Sequence, residues 1–159
     1  MGMDYSGFEP VVGTIFNISR GGDCCSQMIS LRTGNGIVNF HVNAETLIID
    51  NRQLRRGMQV VAYYDRYLPV PLIFPPQYQA QLIAVPGRNE QVVLQFFDRN
   101  LLAGDRSLQL NIGQNTSVRT VNGQNFGCSP GGHMLLVFYS VTTRSQPPQT
   151  TPRQIVVLC

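Results

Sequence analysis

Between Ile37 and Val42, the residues Val38, Phe40 and Val42 alternate with Ile37, Asn39 and His41. A period of two predicts a half-buried strand with the first set facing a core and the second facing outward. The same reading gives strands over 11–18, 27–32, 37–42, 58–65 and 79–85, with a short β segment at 46–49. Thr33-Gly34-Asn35-Gly36 supplies residues that tolerate positive φ, so a hairpin turn is expected between the second and third strands. Gly13 predicts a bulge in the first strand. Gln53–Arg56 predicts one turn of helix closed by Gly57. The segment 66–77 holds Pro69, Pro71, Pro75 and Pro76 and predicts a stiff connection, because proline fixes φ. Past Pro86-Gly87-Arg88-Asn89 the pattern resumes at 91–97, 107–112, around Val118, 134–142 and 154–158. The strand expected between the first two of these is short or merged into the loop 98–106. No segment sustains a 3.6-residue period, so helix should be scarce.

The second half repeats the first. Val38-Asn39-Phe40-His41-Val42 with Thr46 matches Leu108-Gln109-Leu110-Asn111-Ile112 with Thr116. Gly57 and the run ending in Tyr63-Tyr64 match Gly132 and the run ending in Phe138-Tyr139, and Pro75-Pro76-Gln77 matches Pro147-Pro148-Gln149. The pattern implies two copies of one β module: a lead-in at 1–10, repeat 1 over 11–85, a joint at 86–89 and repeat 2 over 90–159. Modules of roughly 70 residues are near the lower limit for an independent core, so the copies are expected to pack on each other or on another chain. Three strands, a connector and two more strands predict an all-β chain of two tandem five-stranded OB-like Greek-key barrels. A single β-sandwich made of two pseudo-symmetric halves would use the same strands.

The stretch from Thr46 to Ile83 reads Thr46-x-Ile48, a leucine and Gly57, Tyr63-Tyr64-Asp65, then Pro69-x-Pro71-x-Ile73-x-Pro75-Pro76-Gln77-Tyr78. It resembles a poorly characterised OB-like β module of Gram-positive, Clostridia-like bacteria, some of whose proteins belong to the cell surface or envelope. The resemblance covers about half of the first copy. The second copy departs from it, with Thr150 in place of Tyr78, Ser140 in place of Asp65 and an added Pro152. The resemblance implies fold and lineage and brings no catalytic residues with it.

Charged residues make up 13% of the chain, about half of the usual ~25%, and Gln and Asn fill much of the polar surface. All twelve basic side chains are Arg, and the net charge is +3. That balance permits nucleic-acid or anionic-surface binding without arguing for it. Cys24 and Cys25 are adjacent, Cys128 and Cys159 stand alone, and no Cys-x-x-Cys pair exists. The first residues lack a basic region followed by an apolar one, and no apolar run is long enough to span a membrane. A cytoplasmic chain is expected, or a cell-envelope one if a leader has been removed.

Four candidate chemistries follow. OB barrels often bind single strands on exposed aromatics. Here the outward positions are Asn39, His41, Gln109 and Asn111, while Phe40 faces inward, so only His41 could stack. Arg20, Arg32, Arg55 and Arg56 could line a groove beside it. Cys128 and His133 place a thiolate and an imidazole in one loop, opposite Cys24 and Cys25 in the other copy, but the spacing matches no zinc motif. His41 and His133 are the only histidines, no acid stands at a recognisable spacing from either, and Asp98 and Asp105 read as turn formers. Neither catalysis nor a metal or cofactor is expected. The proline-rich segment presents Leu68, Val70, Leu72 and Phe74, with Tyr78, as a protein-contact patch. The reading is a non-enzymatic binding or structural module, used for protein–protein contact or self-association with a partner the residues do not name. Single-stranded nucleic-acid binding through an arginine-lined groove is the alternative.

Overall fold

The computed structural model describes residues 4–159, and among them the only helical element is a 3-10 turn over Ile49–Asn51. The protein is all-β. It divides into two compact units between Val85 and Pro86.

The first unit contains β1 (Phe8–Arg20), β2 (Gln27–Thr33), β3 (Gly36–Val42), β4 (Leu47–Ile48), β5 (Gln59–Asp65), β6 (Gln77–Gln79) and β7 (Leu82–Ala84). They form one mixed sheet in the order β4-β7-β5-β1-β2-β3-β6. β1 is long enough to serve two partners: residues 8–14 pair with β5 and residues 14–20 pair with β2. Alternation then puts Ile15, Ile29, Leu31, Phe40, Val42, Val60, Ala62 and Ile83 into one core. The bulge lies between Ile15 and Asn17, not at Gly13. Gly13 serves close approach instead, since a Cβ there would sit 2.9 Å from the Arg32 carbonyl oxygen. No helical turn forms over 53–56; the 3-10 turn comes earlier, with Asp50 and Asn51 at φ 63° and 52°.

The sheet is open, ending at β4 and β6, where closed barrels were expected. β6 runs parallel to β3, and β7 runs antiparallel to β5. Only Ala80 and Gln81 separate them, and their N–H groups donate to His41 O at 2.9 Å and Tyr63 O at 2.8 Å. One segment, 77–84, is therefore bonded to β3 at one end and to β5 at the other.

The second unit contains β8 (Gln91–Phe97), β9 (Gln109–Leu110), β10 (Ser117–Thr120), β11 (His133–Tyr139), β12 (Gln149–Thr150) and β13 (Gln154–Leu158). It has a four-stranded sheet, β10-β13-β11-β8, and a separate parallel pair, β12-β9. Phe97, Leu110, Leu135, Val137, Ile155 and Val157 fill its core. Where the first unit has β2, this one has single bridges, Phe97 to Ala103 and Leu102 to Gln109. That loss splits the sheet.

Even so, equivalent contacts recur inside each unit. Thr46 Oγ1 donates to Ala80 O at 2.8 Å, and Thr116 Oγ1 to Pro152 O at 2.7 Å. Asn39 N–H donates to Pro76 O, and Gln109 N–H to Pro148 O. Gly57 N–H donates to Ile15 O, and Gly132 N–H to Phe97 O, with φ of 89° and 82°. The peptide bonds Phe74–Pro75 and Gln146–Pro147 are both cis.

Candidate functional site

The loop between β5 and β6, residues 66–76, is held at both ends. At its start, Tyr67 N–H donates to Asp65 Oδ1 at 3.0 Å and Arg66 N–H to Gly7 O at 2.9 Å. Arg66 Nη1 meets Glu9 Oε1 at 2.7 Å, and its guanidinium lies 5.0 Å from the Tyr67 ring centroid. At its end, Pro76 O accepts from Asn39 N–H. Between these anchors Pro69 and Pro71 stiffen the chain.

The stiffened tip keeps its apolar side chains in solvent. Tyr67, Leu68, Val70, Leu72, Ile73 and Phe74 are 44 to 101% exposed. Among the described residues eleven large apolar side chains are exposed, so this one loop holds six of them. Leu68, Val70, Leu72 and Phe74, singled out by the sequence, are all exposed in this loop, and so are Tyr67 and Ile73, which the sequence reading leaves out. A usable signal was present: no charged residue occurs from Tyr67 to Gly87. Tyr78 stands apart from this group. Its ring stacks on Tyr64 at 3.9 Å and 12°, and it lies 5.7 Å from Phe40. Burial, and then the neighbouring Tyr78, holds the Tyr64 hydroxyl pKa above its ordinary value.

The corresponding loop of the second unit, residues 140–148, has opposite chemistry. Val141 is exposed, but Thr142, Thr143, Arg144 and Ser145 follow it. Thr143 Oγ1 contacts Ser145 Oγ at 2.6 Å and accepts from Gln149 N–H at 2.9 Å. Thr150 Oγ1 donates to Val141 O at 2.6 Å. With Asn111, Gln149 and Thr151 this loop lines a cleft of about 490 Å³.

Arg20 and Arg32 stand at opposite ends of the β1–β2 ladder: Arg20 pairs with Gln27 and Arg32 with Thr14, six residue steps along β1, about 20 Å at ~3.4 Å per residue. Arg20 Nη2 contacts Cys24 Sγ at 2.9 Å. The Arg32 guanidinium lies 4.8 Å from the Phe16 ring centroid. Arg55 and Arg56 are exposed before β5, with Arg55 Nη2 donating to Gln53 Oε1 at 3.2 Å. His41 is half-buried, its Nε2 3.2 Å from Gln77 Oε1. Asn111 Nδ2 donates to Gln149 Oε1 at 3.1 Å in the same place of the second unit. His41 thus ties β3 to the incoming segment.

Cys24, Cys25, Cys128 and Cys159 are all free and exposed. Cys128 and His133 line a second cleft with Asp98. His133 Nδ1 lies 3.1 Å from both Pro130 O and Gly131 O, which only accept, so Nδ1 carries the proton. Asp98 Oδ1 accepts from Asn100 N–H and Leu102 N–H, and so it shapes the turn. Among the described residues no group of three His, Cys, Asp or Glu side chains could hold a metal ion, and no helix is long and apolar enough to cross a membrane. The chain matches no family model, no curated protein and no solved structure.

Proposed function

We propose that this chain is a non-enzymatic contact module built from two OB-like halves, and that it self-associates through the loop 66–76. The OB-like reading rests on connectivity. A three-stranded meander, β5 on the first half of β1, and a last segment parallel to β3 and antiparallel to β5 support it, although the sheet is open. The contacts common to both units support a repeat of the same plan.

The observation that carries the functional reading is the uncharged tip with its six exposed apolar side chains. Taking roughly 150–250 Å² for each whole aromatic side chain, and somewhat less for each aliphatic one, the tip exposes on the order of 700 Å². A standard protein interface takes about 800 Å² from each partner. The largest patch of an ordinary monomer is about 300–600 Å² and is often functional. A second copy fits because an uncharged patch meets itself without like-charge repulsion, and a two-fold contact needs only self-complementarity.

Sedimentation velocity over a range of concentrations tests this at low and at high salt. Dimerisation that salt does not weaken is expected, and Leu72→Ser with Phe74→Ser should abolish it. A monomer at every concentration, or a dimer indifferent to the double substitution, would overturn the reading. Nucleic-acid binding through the arginines calls for the opposite behaviour, a steep loss of affinity with salt.

A further inference from the structure

We propose that Cys24 and Cys25 form a two-sulfur site for a thiophilic ion of low coordination number, of which monovalent copper is the type. The pair sits between β1 and β2, and both thiols are free and exposed. The turn is closed by Gly21 N–H donating to Ser26 O at 3.0 Å. Asp23 Oδ1 is engaged inside it, accepting from Cys25 N–H at 2.9 Å and from Ser26 Oγ at 3.1 Å.

Adjacency decides what the two sulfurs can do. Neighbouring Cα atoms are about 3.8 Å apart across a trans peptide. An ordinary disulfide wants roughly 4.4–6.8 Å, so direct oxidation of the pair is strained. An ion placed between the sulfurs lengthens the bridge by two metal–sulfur bonds of about 2.3 Å each and relieves that constraint. The dithiol is therefore a better chelator than a disulfide former.

The surroundings select the ion. Zinc needs four ligands, and no third His, Cys, Asp or Glu joins the pair as a metal-holding group among the described residues. Soft thiolates favour Cu(I), which is satisfied by two sulfurs. Binding releases one proton from each thiol and leaves a bis-thiolate complex with one net negative charge. Arg20, whose Nη2 lies 2.9 Å from Cys24 Sγ, places a positive charge against it.

The test uses Cu(I) supplied as its bicinchoninate complex, whose colour fades as the protein removes the ion. The full chain, and a Cys128→Ser/Cys159→Ser variant, should each withdraw one equivalent. Cys24→Ser and Cys25→Ser should each lose at least about tenfold in affinity, and Arg20→Gln should lose less. A phenylarsine oxide adduct, formed with two thiols and release of one water, provides a second readout by intact mass. It should resist excess monothiol in the parent chain and be stripped from either single serine variant. Failure to withdraw Cu(I), or withdrawal and adduct retention unchanged by Cys24→Ser, would overturn the proposal. Neither readout depends on the loop 66–76, so the contact reading stands or falls separately.

Discussion

The loops 66–76 and 140–148 occupy the same place in their units and end in the same way. Each follows a seven-residue strand, β5 or β11, and each returns through a cis proline whose following Pro carbonyl accepts from the third-strand position. Their tips differ completely. Beyond Arg66, which pairs with Glu9, one carries six exposed apolar side chains and no charge; the other folds hydroxyls back onto its own backbone and carries Arg144. A frame that tolerates both tips does not require either. The apolar tip is therefore not explained by folding, whereas the anchors beneath both tips are. The proposed contact role would supply a reason for the difference that folding does not.

The comparison can be broken at its most consequential point. Replacing Leu72 and Phe74 by serine should weaken self-association by roughly 30-fold or more, the scale of interface hot spots, and leave the melting temperature within a degree or so at concentrations where the parent chain is also monomeric. A large fall in melting temperature would instead make the tip structural.

The shared frame is tested by Thr46→Val and Thr116→Val. Each removes a hydroxyl that bridges a carbonyl across the fold and a nearby N–H, so each should cost roughly 1–3 kcal/mol in urea unfolding. Markedly unequal costs would mean that the two anchors are alike in geometry and not in weight.

A smaller effect distinguishes the units by pH. Arg153 makes two bonds of 2.8 Å to the Glu90 carboxylate, whose side chain is 5% exposed, and Gly87 N–H adds another. The hydrogen bonds from Arg153, which outweigh burial, hold the Glu90 pKa below its ordinary 4.5. Because the folded pKa is the lower one, this stabilisation is complete above about pH 4.5 and is lost as pH falls through the folded value. Arg153 is half exposed, so screening keeps the contribution to about 1 kcal/mol. Amide exchange resolved by unit should show the second unit loosening as pH falls below about 4.5, and Glu90→Gln should flatten that profile. The Arg66–Glu9 pair of the first unit is exposed on both sides and adds little to stability.

The weakest change is Val141→Ser in the polar loop. It should move stability by less than about 0.5 kcal/mol and leave association untouched. A loss of association there would place the contact in the wrong loop.

Strand content was legible because alternation is a local signal. Phe40 and Val42 face the core and His41 does not, as the period of two requires. Errors arose where distant residues decide. Gly13 reads as a bulge, yet its small size answers to Arg32 O, a residue in another strand. Gln53–Arg56 before Gly57 reads as a capped helical turn, but the Gly57 N–H is claimed by Ile15 O and no helix forms. The apolar tip was half legible. Composition marks Leu72 and Phe74 as apolar in a proline-rich loop, but only the fold reveals that they stay outside while Tyr78 is drawn onto Tyr64. The grouping of arginines was not legible at all, because strand register sets the distance from Arg20 to Arg32.

The prolines of the apolar loop have one more consequence. An exposed, uncharged, hydrophobic segment is ordinarily a hazard for amyloid-like stacking, where every backbone N–H pairs with the next chain. Pro69, Pro71, Pro75 and Pro76 remove four of those donors within eight residues. Whatever its side chains meet, the tip's main chain is thus poorly equipped to template a fibril.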